Sequence, residues 1–128
     1  MALAATLAEL GSDKALATAV NWFFREDPRA GAFGGGREEF LQRLHARSPL
    51  RYKAVVARIV KDERLSTLGP PTTRMLLRSV EGYLGRPLAD EEDVRQSYGF
   101  DEAQQRGNFE PLGEWQRKLR ETGAEWNR

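Results

Sequence analysis

Between Leu50 and Leu65 the apolar residues follow a helical repeat. Tyr52, Val55, Val56, Ile59 and Val60 stand at i, i+3, i+4, i+7 and i+8, the spacing that lines one side of an α-helix. A half-buried strand would instead alternate apolar and polar residues at every second position. The pattern predicts a helix over 50–65 with one broad inward face. Arg51, Lys53, Arg58, Lys61 and Arg64 all fall off that face. A helix apolar on one side must bury that side against other elements, so the rest of the chain has to supply the cover.

The rest of the chain also reads as helices, with almost no strand signal. Leu3, Leu7 and Leu10 form a short stripe that Gly11 interrupts. Ser12 and Asp13 suit a helix start, and Leu16, Ala19, Val20, Phe23 and Phe24 follow at helical spacing until Pro28. A Gly-rich loop near 31–36 leads to a helix from Arg37, with Phe40, Leu41 and Leu44 inward and Ser48-Pro49 as its end. Gly69-Pro70-Pro71 is read as a stop. Thr72 or Thr73 is expected to cap the next helix, whose inward residues are Leu76, Leu77, Val80, Tyr83 and Leu84. Gly85 and Pro87 end it. The acids Asp90 to Asp93 suit the N-terminus of a short helix that stops near Gly99. Asp101 to Arg106 suggests one further turn. The last helix starts near Pro111, with Leu112, Trp115, Leu119 and Trp126 on one side. The expectation is an all-α single-domain bundle of five to seven helices. A core over 1–99 would carry a loosely ordered extension over 100–128, packed on that core or on a partner chain.

Composition narrows the functional classes. The 128 residues contain no Cys and one His, His45, so disulfides, thiol chemistry and histidine-based metal sites fall away. No stretch has the roughly 18 to 20 apolar residues of a membrane span. Lys14 is the first cation, so no basic leader precedes the apolar N-terminal residues and a secretory signal is not expected. The usage, rich in Ala, Arg, Leu and Gly, points to a cytoplasmic protein of a bacterium or phage.

Charge is distributed unevenly. The net charge is +1, yet residues 37–86 hold 11 cations against 5 anions, and residues 87–128 hold 6 against 10. A basic middle before an acidic end points to a polyanionic partner, or to the two parts meeting each other. Within the 50–65 helix, Arg58 has Asp62 at i+4. Arg51, Lys53, Lys61 and Arg64 have no acid at i±3 or i±4. Arg58, Lys61 and Arg64 follow one another at i+3, an arrangement that costs a few tenths of a kcal/mol per pair and invites an outside anion. Arg43 and Arg47 before this helix, and Arg74 and Arg78 after it, widen the candidate nucleic-acid contact. Glu39 is placed to pair with Arg43, and Glu81 with Arg78. The plainer alternatives are a solvated basic face, or one covered by the Asp90–Asp93 run.

Other motifs carry less. Gly34-Gly35-Gly36-Arg37 precedes a helix, where free N–H groups can hold an anion. No strand leads into it and no Lys-Ser/Thr pair follows, so it fits neither a Walker loop nor a dinucleotide fingerprint. Asp90, Glu91, Glu92 and Asp93 lack the glycine of a calcium loop. Trp22 lies off its helix stripe and, with Phe33, Trp115 and Trp126, is assigned to partner contact. No convergent catalytic set, metal set or cofactor loop emerges. The expected role is a non-enzymatic subunit of a nucleoprotein assembly, touching nucleic-acid backbone without reading sequence. The alternative is a protein–protein adaptor or assembly factor whose basic face meets an acidic protein surface. Neither reading involves a membrane or a cofactor.

Overall fold

The computed structural model describes residues 13–25, 36–102 and 109–126. The fold is all-α. The described residues contain six α-helices, one 3-10 helix and no strand. In chain order the helices are α1 (Asp13–Arg25), α2 (Arg37–Arg47), α3 (Pro49–Lys61), α4 (Pro70–Leu84), α5 (Glu91–Ser97) and α6 (Pro111–Trp126), with the 3-10 helix at Glu63–Thr67. The chain divides into two compact units, residues 1–59 and 60–128, with the boundary inside α3.

In the first unit, periodicity sets the packing. Leu16, Ala19, Val20 and Phe23 of α1 are buried, as are Phe40, Leu41 and Leu44 of α2 and Tyr52, Val55, Val56 and Ile59 of α3. Full burial of such side chains contributes roughly 1.5 to 3 kcal/mol each. Short polar links fix the helix ends. The Arg37 side chain donates from Nε to the Phe23 carbonyl at 2.7 Å, meeting one of the unpaired carbonyls at the C-terminus of α1. Its guanidinium lies 5.3 Å from the Phe23 ring centre. Ser48 both ends α2 and starts α3. Its N–H donates to the Leu44 carbonyl, and its own carbonyl accepts from the Tyr52 N–H. Gly36 opens α2 at φ 76, a left-handed backbone angle that favours glycine.

In the second unit, buried residues come from α4 (Leu76, Leu77, Val80), α5 (Val94) and α6 (Leu112, Trp115, Leu119), with Leu65, Leu68 and Phe109 from the connections. Helix α6 packs along α4 and also meets the 3-10 helix. Residues 111–126 are thus packed into this unit's core, one of the two placements expected of them. Polar side chains join distant segments here. Gln116, almost fully buried on α6, donates to the Leu68 carbonyl at 3.0 Å. Lys118 donates to the Leu88 carbonyl at 2.7 Å. Glu81 accepts from the Leu88 and Ala89 N–H groups at 2.7 and 3.1 Å, fixing the chain as it leaves α4.

Several boundaries depart from the sequence expectation. Helix α3 stops at Lys61, because Asp62 leaves helical geometry and caps the 3-10 helix by accepting from the Arg64 N–H. Pro70 and Pro71 open α4 rather than blocking it, since a first turn needs no proline N–H. Neither Thr72 nor Thr73 is the cap. Gly69 holds that position and has no side chain to offer. The cap comes from Glu102, whose carboxylate accepts from the Gly69 N–H, the Thr72 N–H and the Thr72 hydroxyl. A Cβ on residue 69 would collide with the Glu102 carbonyl, so this approach requires glycine. Tyr83, expected inward, is 40% exposed in the last turn of α4, just before the Gly85 cap. The Leu3–Leu10 stripe and most of the 31–36 loop lie outside the described residues, as do residues 103–106 of the expected turn.

Candidate basic interface

The cations singled out by spacing fall into three groups. The first is engaged by carboxylates of the chain itself. Arg43 meets Glu39 at 2.8 Å, one turn away on α2. Arg58 meets Asp13 at 2.7 Å rather than its i+4 neighbour Asp62. Asp62 lies beyond the end of α3 and turns to Arg64. There, Nε and an Nη of the guanidinium contact the two carboxylate oxygens at 3.0 and 2.8 Å. This hydrogen bonding holds Asp62 below the usual carboxylate range and raises Arg64 above its own ordinary value. Arg78 meets Glu91 at 3.0 Å and Glu81 at 2.8 Å. The Glu91 carboxylate, followed by Glu81, makes Arg78 harder to deprotonate, while Arg78 depresses Glu91.

The second group has partners of other kinds. Arg74 donates to the Ser97 hydroxyl at 2.8 Å, and its guanidinium stacks 3.8 Å from the Tyr98 ring centre. Arg47 and Lys53 are each engaged with other groups of the chain. The third group is Arg51 and Lys61, whose charged ends have no ion-pair partner among the described residues. The stem of Lys61 runs alongside Gly123, close enough that a Cβ there would touch it.

Two acids of the Asp90–Asp93 run are engaged within the second unit. Asp90 caps α5 by accepting from the Glu92 and Asp93 N–H groups. Glu91 goes to Arg78 on α4. The expected uninterrupted i+3 row Arg58–Lys61–Arg64 is absent, because α3 ends before Arg64.

The aromatic candidates separate as well. Trp115 is 1% exposed and packs edge-on against Phe109, 5.0 Å between ring centres. It is a core residue and not a partner contact, because its stripe faces α4. Trp22 is half-buried, edge-on to Phe40 at 5.2 Å. Phe33 and the side chain of Trp126 lie outside the described residues. Apolar exposure is instead found at Leu50, 79% exposed, and Tyr98, 70% exposed. Spacing arguments overlooked both. Leu50 is the first apolar residue of a strongly periodic helix and sits on its outer side.

His45 is exposed on α2, with its ring 4.8 Å from that of Tyr52. No group of three or more metal-ligating side chains gathers among the described residues. No helix of the described residues is long and apolar enough to cross a membrane. Comparison of the chain with protein-family models, with curated proteins and with solved structures finds no match.

Proposed function

We propose that this chain acts by binding, as an adaptor or assembly protein that docks other protein subunits. The observation that carries this reading is the pairing of Arg43, Arg58, Arg64 and Arg78 with carboxylates of the same chain. A phosphate arriving at any of these must displace an existing partner, so little net charge neutralisation is gained. Leu50 in the first unit and Tyr98 in the second each expose a large apolar side chain of the kind that protein contacts use. Tyr98 with Arg74 stacked on it also combines two residue types that concentrate binding energy at interfaces.

A second reading keeps the nucleic-acid backbone as partner, contacted through Arg51 and Lys61. The two are separated by titrating labelled mixed-sequence duplex DNA across salt by fluorescence anisotropy. Nine phosphate-contacting cations would give a slope of log K against log salt of about −8, whereas two would give about −2. The adaptor reading expects binding too weak to saturate at physiological salt. Saturable binding with a slope steeper than about −5, reduced by the paired changes Arg51→Glu and Lys61→Glu, would overturn it.

A further inference from the structure

We propose that the cleft between α5 and α6 receives an arginine side chain from a partner protein. The inference rests on the adaptor reading and names the chemistry of one contact.

The cleft has a volume of about 400 Å³, toward the small end of ligand cavities and suited to one long side chain. Phe100 and Phe109 supply its apolar lining, their rings 5.0 Å apart and tilted by 46°. Asp93, Gln96, Glu110 and Glu114 surround them. The state of these carboxylates is informative. Elsewhere on the same helices the acids are matched, Glu91 by Arg78, Glu92 by Arg95 and Glu121 by Arg117. Glu114 has only loose contacts, 3.7 Å to Arg117 and to Lys118. Asp93 and Glu110 have no cation partner among the described residues.

A half-buried phenyl ring, Phe100, backed by the buried Phe109 and set among unmatched carboxylates, selects a cation with an apolar stem. The stem lies against the Phe100 ring, and the charged head reaches the carboxylates. A divalent metal is a poor fit, because these acids do not gather into a ligand set. Among side chains, guanidinium is the better match, being planar, weakly hydrated and able to meet two carboxylates at once. The chain already uses this chemistry internally, with Arg74 over Tyr98 and Arg37 over Phe23.

The test uses the full chain and a fluorescein-labelled hexapeptide carrying two arginines, compared with the same peptide carrying citrulline. Anisotropy is read at 50 and 300 mM salt. The arginine peptide is expected to bind at least tenfold more tightly than the citrulline peptide. The paired changes Asp93→Asn and Glu110→Gln are expected to weaken it at least tenfold, with an unchanged far-ultraviolet circular dichroism spectrum. Arg106→Ala is expected to leave the affinity unchanged. Equal affinity for both peptides, indifference to the paired changes, or no binding of the arginine peptide would each overturn the proposal. So would a gain in affinity from Arg106→Ala, which would make the chain's own 103–108 segment the occupant. These outcomes leave the adaptor reading in place, since that reading fails on the DNA titration instead.

Discussion

Residues 13–59 and residues 60–128 reach the same helical end by different means. In the first unit, cohesion follows the apolar stripes of three helices, and the polar contacts trim helix ends apart from the exposed Arg58–Asp13 pair. In the second, polar side chains reach backbone groups over long stretches of sequence. Glu102 meets Gly69 and Thr72, Gln116 meets Leu68, and Lys118 meets Leu88. Each of these engages a backbone group that a helix end or a connection leaves without a partner. A periodic stripe tolerates modest change, because its benefit is spread over many contacts. A remote polar clasp concentrates its benefit in one side chain.

The contrast can be broken first at its apolar anchors. Trp115→Ala should cost about 3 to 5 kcal/mol and Ile59→Ala about 2 to 5 kcal/mol, read by urea unfolding followed with circular dichroism. A cost below about half a kcal/mol for Ile59→Ala would remove the inner face of α3 from the core. Next comes Gly69→Ala, whose added methyl meets the Glu102 backbone. Forcing that contact apart should cost about 1 to 3 kcal/mol. Glu102→Ala should cost about 1 to 2 kcal/mol by uncapping α4. If both changes act by opening one clasp, their combined cost should fall well short of the sum. Strict additivity would mean that the two residues act separately.

The smallest effect sharpens the role of Asp62. Its folded pKa is depressed by Arg64, so the pair contributes stability above the ordinary carboxylate range, near pH 4. That contribution is lost as the pH falls through the lower folded value. Asp62→Asn retains an acceptor for the Arg64 N–H while removing the charge. The loss should be a few tenths of a kcal/mol at neutral pH, given partial exposure, and should vanish in acid. A loss that persists below pH 2 would assign it to the cap rather than to the charge.

Much of the first unit is legible in the sequence, because periodicity is a local property. The inward residues of α1, α2 and α3 can be counted off the chain, as can the Arg43–Glu39 pair. In the second unit the local pattern misleads at defined places. Gly69-Pro70-Pro71 reads as a terminator, since nothing near it signals that a carboxylate 33 residues onward will complete the helix start. Arg64 reads as unmatched only while α3 is drawn through Asp62. A helix places i and i+2 on different sides, whereas the 3-10 cap brings them together. The first unit has one such exception, the Arg58–Asp13 pair, which spans 45 residues and has no local signal at all. Spacing alone leaves these two arginines unmatched or mismatched, because Arg58 reaches Asp13 on another helix and Arg64 reaches Asp62 outside helical geometry.

The clasp at Glu102 also has a consequence in time. Helix α4 starts with two prolines, which supply no N–H, after a glycine that offers no side-chain acceptor. Its first turn stays incomplete until residue 102 has been added, 33 residues later. At the usual pace of translation of about 5 to 20 residues per second, that delay is roughly 2 to 7 seconds. During synthesis the second unit is therefore committed to fold late, once the glutamate that closes its central helix has emerged.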